Sequence, residues 1–169
     1  MNIIILDDIA TDRVILIHFL KRFFKEQGIT TQYTITEYES GEDFFADDST
    51  VDCDVIFIDY YMHEMSGMDV AKKIRKRGEN VPIFFTTSCP DYAIESFLVK
   101  ASGYLLKPCK YEEFEQLLLF CDSFKSMIES IINRGEKEKL ASDVAEYFRS
   151  KYSLDELKAL SIGGAYDDL

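Results

Sequence analysis

Positive charge is the commodity this sequence has least of. Lys and Arg number 19 against 31 Asp and Glu, for a formal net charge of −12. A field of that sign repels phosphate backbones, so no nucleic-acid footprint is present and direct DNA binding by this chain is not expected. Histidine is limited to His18 and His63, and the four cysteines, Cys53, Cys89, Cys109 and Cys121, include no Cys-x-x-Cys pair. Neither a zinc site nor a disulfide framework is indicated, which leaves free thiols in a reducing compartment. No basic leader precedes an apolar run, and no stretch is long enough to cross a bilayer; a cytoplasmic protein without membrane contact is expected. There is no internal repeat beyond an alternation of strands and helices, and no low-complexity tract.

What is present is the composition of a folded chain, 47% hydrophobic, 14% aromatic and 30% charged. Its 169 residues suffice for one well-buried core with a modest appendage, and not for two ordinary domains. Residues 3–6 are a short β-branched run ending in Asp7-Asp8, the pattern of a strand buried on both faces. From residue 11 to 27, Val14, Ile15, Ile17, Phe19, Leu20, Phe23 and Phe24 recur at helical spacing and Gly28 offers a stop. The unit then repeats. Residues 33–38 alternate as a strand, and Ser40 with Asp43 can cap a short helix through Phe44 and Phe45. Residues 54–59 form a buried strand ending in Asp59, followed by a helix marked by Val70, Ala71 and Ile74. Residues 82–87 are a fourth strand, with a helix over Tyr92, Ala93, Phe97 and Leu98 opening near Pro90. Residues 103–108 are a fifth strand, before a long amphipathic helix from about Tyr111 to Ile131. Strands alternating with helices in this way imply a parallel sheet with helices on both faces, an α/β doubly wound fold.

After Asn133 the character changes. A polar break at residues 134–139 precedes a further helix through Leu140, Val144, Tyr147 and Phe148, and Ser153 with Glu156 can cap a last short one. The expected organisation is a core over residues 1–132 and a helical extension over 133–169. That extension has no basic recognition surface, and its apolar stripe can dock on its own core or on a second copy of the chain.

In a parallel α/β sheet the C-terminal strand ends share one edge, and ligands bind in the crevice there. Asp7 and Asp8 follow strand one, Asp59 ends strand three, Thr87 ends strand four and Lys107 ends strand five, so these side chains are expected to converge. Crowded carboxylates repel one another, and an oxygen-liganded hard cation such as Mg²⁺ relieves that repulsion. A carboxylate so placed can attack a phosphoryl group to form an acyl phosphate, while the cation and the Lys107 ammonium neutralise the transition state. Any one of these acids alone would mean little, because strand-end acids also face water and cap helices.

The segments Ile-Ile-Leu-Asp7-Asp8, Val-Ile-Phe-Ile-Asp59-Tyr-Tyr-Met62-His-Glu-Met65-Ser-Gly67, Pro82-Ile-Phe-Phe-Thr-Thr87-Ser88 and Gly103-Tyr104-Leu-Leu-Lys107-Pro108 resemble receiver domains of two-component response regulators, with a LytTR-type flavour. The likeness covers about the first 120 residues in order and spacing. It implies a flavodoxin-like five-stranded sheet in the order 2-1-3-4-5. It also implies Asp59 as phosphoacceptor, Asp8 as direct Mg²⁺ ligand, Asp7 holding a metal-bound water, and the Tyr61 backbone carbonyl as a further ligand. By the same likeness Thr87 and the Ser88 backbone N–H would contact the phosphoryl group, Lys107 would pair with it, and Tyr104 would be an aromatic switch at the surface formed by the fourth helix, fifth strand and fifth helix. The implied partners are a sensor histidine kinase or phosphotransfer protein and a downstream protein, with a homodimer possible; the chain would be a regulator rather than an enzyme. His63 departs from the pattern, since a proline normally follows the methionine. Two other readings compete. An aspartate-nucleophile phosphatase usually places a second acid two residues after the nucleophile, where this chain has Tyr61; a receiver-like interaction module would work without phosphate.

Overall fold

The computed structural model describes residues 1–47, 53–78, 80–89 and 97–151. In chain order the elements are β1 (Asn2–Leu6), α1 (Ala10–Glu26), β2 (Thr34–Tyr38), α2 (Gly41–Ala46), β3 (Val55–Asp59), α3 (Gly67–Lys76), β4 (Ile83–Thr87), a 3₁₀ turn (Phe97–Val99), β5 (Gly103–Leu106), α4 (Tyr111–Phe120) and α5 (Asp122–Lys151). The five strands form one parallel sheet in the order β2-β1-β3-β4-β5. This is the doubly wound, flavodoxin-like arrangement, and it puts every strand end on one edge. The chain divides into two compact units, Met1–Ile128 and Glu129–Leu169.

Burial on both faces explains why the first four residues of β3 and the first three of β4 are apolar without alternation, every residue of each strand being buried. On one face Phe57 stacks on Phe84 at 5.1 Å and on Phe114 at 5.8 Å, and Phe124 meets Phe23, Phe24 and Phe84. On the other face Ile56, Ile58, Phe85, Val70, Ala71 and Ile74 share a cluster with Tyr38 and Phe44. Neighbouring side chains on a strand point to opposite faces, so Phe84 and Phe85 serve both halves of the core.

Local chemistry starts the helices. Ser40 accepts the Asp43 N–H at 3.1 Å to open α2, as its sequence predicts, and Ser66 accepts the Asp69 N–H at 3.2 Å to open α3. At Gly78, φ is +80°, a conformation suited to glycine just beyond α3.

Several expectations need correction. The buried stripe of α1 is Arg13, Leu16, Leu20, Phe23 and Phe24, whereas Val14 is 63% exposed and Ile15 is exposed as well. The helix is rotated so that a charged residue, Arg13, takes the inner position, for reasons that lie at the strand ends. The helix expected from Tyr111 to Ile131 is two helices. Cys121 has extended backbone angles (φ −86°, ψ 104°), and this turn redirects the chain so that Phe124 reaches the Phe23–Phe24 pair. The polar stretch over residues 134–139 does not break the chain, because α5 runs through it without interruption; its residues are helix formers apart from Gly135. The fifth strand closes at Leu106, so Lys107 stands one residue past it, with a cis peptide to Pro108. The helix near Pro90 and the one after Ser153 fall on residues outside those described, except for the 3₁₀ turn at Phe97–Val99.

Candidate acidic site at the strand ends

Asp7, the first residue after β1, is completely buried. Its backbone is held from two sides: the N–H donates to the Tyr38 carbonyl of β2 at 3.2 Å, and the carbonyl accepts from Arg13 Nη1 at 2.6 Å. Arg13 in turn donates to Glu37 at 3.1 Å and Glu39 at 2.9 Å, so a buried guanidinium ties α1 and β2 to the main chain of the acidic pair. This is the reason for the inward turn of Arg13. The Asp7 carboxylate accepts the Ile9 N–H at 2.9 Å and lies 2.8 Å from Lys107 Nζ. Burial raises its pKa, opposed by those two donors.

Asp59 closes β3 and is 3% exposed. Burial, reinforced by the charge of Asp7, pushes its carboxyl up to about 6 against the pull of Lys107. Asp7, Asp8 and Asp59 each offer a carboxylate oxygen, all within 4.8 Å of one another. Lys107 faces this group from just past β5, with Nζ 2.8 Å from Asp7, 2.7 Å from Asp12 and 3.3 Å from Asp59. Burial works against its charge, yet the bonds to Asp12 and Asp7 and the charge of Asp59 carry its pKa upward overall.

Of the remaining sequence-derived residues, Tyr61 contacts this centre, while Thr87, Ser88 and Tyr104 lie on β4, just after it and on β5. The Tyr61 N–H points at Asp59 Oδ1 at 3.4 Å, and its ring packs edge-on to Tyr60 at 5.4 Å while staying 47% exposed. Thr87 is buried at the end of β4, and its hydroxyl accepts the Cys89 N–H at 3.2 Å. Ser88, the next residue, is exposed. Tyr104 is half-buried on β5, and its hydroxyl donates to the Cys89 carbonyl. Cys89 therefore links Thr87 to Tyr104 through its two backbone groups.

Three contacts were not visible in the sequence. Asp12 lies one helical turn beyond Asp8, yet nothing in spacing alone ties it to Lys107, ninety-odd residues away. Arg13 is a charged residue outside the apolar periodicity of its helix, and its bonds to Asp7, Glu37 and Glu39 follow no sequence pattern. His63 has a side chain 96% exposed, and both its N–H (3.2 Å) and its Nδ1 (2.6 Å) sit on the same oxygen of Asp8, Oδ2. A proline there would have neither group; the departure from the usual pattern at His63 gave the only sequence signal.

A five-stranded parallel sheet in this order, with a buried acidic group and a lysine at its carboxyl edge, defines a doubly wound α/β protein of the CheY-like kind. The family model for the response regulator receiver domain matches residues 3–119, and the chain belongs to that family, the receivers of two-component signalling. Among curated relatives, the sensory transduction protein LytT of Bacillus subtilis is 30% identical over 151 residues, covering 86% of this chain and 59% of that protein. The chain thus spans less than two thirds of the length of that relative, and only 26% of its namesake in Oceanobacillus iheyensis. Among solved structures, the response regulatory domain of mrkE from Klebsiella pneumoniae aligns with a TM-score of 0.63 at 21% identity, over 77% of this chain and 99% of that one. The response regulator TrrA of Thermotoga maritima, solved with Mg²⁺–BeF, aligns with a TM-score of 0.54 at 26% identity, over 68% of this chain and 93% of that one. Among the described residues no helix is long and apolar enough to cross a membrane.

Proposed function

We propose that this chain is a phosphorylation switch that accepts a phosphoryl group on Asp59 from a histidine kinase or phosphotransfer protein in an Mg²⁺-dependent reaction. The observation that carries this reading is the placement of the Asp59 carboxylate between the Lys107 ammonium, at 3.3 Å, and the oxygens of Asp7 and Asp8, within 4.8 Å. Three carboxylates suit a hard cation, and the beryllofluoride complex of the TrrA relative supports the same chemistry here. Asp7, Asp8 and Asp59, with the Tyr61 carbonyl, would hold Mg²⁺, which when bound screens the carboxylates from one another and the incoming phosphoryl oxygens from Asp59.

The protein's own groups do the rest. An ionised Asp59 oxygen attacks phosphorus in line with the departing imidazole of the donor, which keeps the electron pair of the broken P–N bond. Lys107 pairs with the transferred group, Thr87 turns its hydroxyl to a phosphoryl oxygen, and the Ser88 N–H supports it. Thr87 then gives up the Cys89 N–H, and the Cys89 carbonyl is the acceptor of the Tyr104 hydroxyl. That shared residue is a physical route from phosphorylation to the aromatic switch and a changed surface for a downstream partner. Under this reading the chain is a cytoplasmic regulator with its receiver at residues 1–132 and an extension over 133–169 that serves a partner or a second copy.

Incubation with acetyl phosphate and Mg²⁺, followed by intact-mass measurement, should add one phosphoryl group to the wild type and none to Asp59→Asn. Uptake by the variant at the wild-type level refutes Asp59 as acceptor. Failure of the wild type to bind beryllofluoride at saturating Mg²⁺ would favour a phosphate-independent interaction module.

A further inference from the structure

Lys107 is shared unequally. Its Nζ lies 2.7 Å from Asp12, 2.8 Å from Asp7 and 3.3 Å from Asp59, so its weakest partner is the carboxylate at which the phosphoryl group is to arrive. An ammonium has three N–H donors, and all three are engaged by these acids. Asp12 differs from the other two. It lies in the first turn of α1 with a side chain 26% exposed, where charge costs little in solvation and the helix N-terminus favours it. Asp12 and Lys107 also line a cleft of about 90 Å³ with Ile15, Leu16, Pro108 and Cys109. The ammonium therefore has open space on the Asp12 side and a crowded acidic group on the other.

We propose that Asp12 is a positioning residue that holds the Lys107 ammonium aside from Asp59 until an anionic phosphoryl group draws it inward, and so sets how readily the site accepts that group. The proposal rests on the phosphoacceptor reading above. An incoming phosphoryl group brings enough charge to outcompete a single, partly solvated carboxylate, so the lysine swings from Asp12 to the phosphoryl oxygens. Every uptake then includes the loss of the Asp12–Lys107 contact, and every release of the group restores it. Asp12 acts through Lys107 and touches neither the phosphoryl group nor the cation.

Asp12→Asn keeps the shape of the side chain and removes its charge; Asp12→Ala removes the acceptor as well. With the full chain at saturating Mg²⁺, titration calorimetry should show beryllofluoride binding tighter by about three- to fivefold in Asp12→Ala, the weight of one partly exposed ion pair, and by a smaller factor in Asp12→Asn. The gain should persist at high ionic strength, because a contact pair is screened far less than the distant field of a partly exposed carboxylate. Wild-type or weaker affinity in folded Asp12→Ala and Asp12→Asn overturns the proposal, and so does a gain that disappears at high salt. If the wild type binds and the variants match it, only the role of Asp12 falls. If the wild type does not bind beryllofluoride at all, the phosphoacceptor reading falls and takes this one with it.

Discussion

At the scale of single residues, the charge on Asp59 is held against its surroundings. Its pKa is pushed from the ordinary 3.8 to about 6 by burial, so between those values the folded chain binds a proton that the unfolded chain has released. Stability contributed at this site is therefore highest below about pH 4 and falls as pH rises towards 6. In metal-free protein Asp59→Asn should remove that slope. Its melting temperature should exceed the wild type's by about 3–6 °C at pH 7, or roughly 1–2 kcal/mol, and by little at pH 4. Thermal unfolding at both pH values checks this, and an equal gap at each would contradict it. Thr86 presents a simpler case. Among the described residues its hydroxyl is buried with no hydrogen-bond partner, one residue before Thr87 and opposite Asp59 in the sheet register. Thr86→Val keeps the shape and removes the unmet polar atom, and should raise stability by about 1 kcal/mol in a denaturant titration without altering Mg²⁺ affinity. The partners of Arg13, Asp12 and His63 were not legible in the sequence, because each is set by how α1, β2, β5 and the loop after β3 stack in space. The convergence of Asp7, Asp8, Asp59 and Lys107 was legible because parallel strands all end on one edge.

At the scale of elements, the start of α3 is fitted to the site. The Gly67 N–H donates to the Tyr60 carbonyl at 3.1 Å, and a Cβ on Gly67 would collide with the backbone carbonyl of Asp59 and approach Ile58 Cγ2 to 2.9 Å. Close approach of backbone to backbone is the reason for glycine here. Gly67→Ala should destabilise the fold by about 1–3 kcal/mol and weaken Mg²⁺ binding as well, since relief of the clash displaces Asp59. Melting combined with Mg²⁺ titration tests the pairing; lost stability with unchanged Mg²⁺ affinity would show that α3 moves instead of Asp59. Strand and helix order were readable from periodicity, and the Ser40 cap from its residue type. The turn at Cys121 was not, because Leu-Leu-Leu-Phe-Cys-Asp-Ser has no proline or glycine to announce it; packing of Phe124 against Phe23 and Phe84 decides it. The face of α1 was misjudged for a related reason: apolar periodicity ranks Val14 and Ile15 above an arginine, and only the cluster of acceptors at Asp7, Glu37 and Glu39 reverses that order.

At the scale of the whole molecule, the first compact unit ends at Ile128. Removal of residues from Gly135 onward should leave a folded chain that still takes up one phosphoryl group, because all five strands and α1 to α4 lie before that point. Circular dichroism and intact mass together check this, and loss of cooperative unfolding in the shortened chain would show that the part of α5 from Gly135 onward is needed for the core. The surface has its own use. The chain has ten tyrosines and no tryptophan, so it emits no indole fluorescence. Tyr61, with its amide on Asp59 and its half-exposed ring leaning on Tyr60, occupies the place where a lone indole would sense the site at least cost to the core. The protein is therefore an optically dark background against which a single Tyr61→Trp substitution could report cation and phosphoryl binding as a change of emission, in real time and without a chemical label.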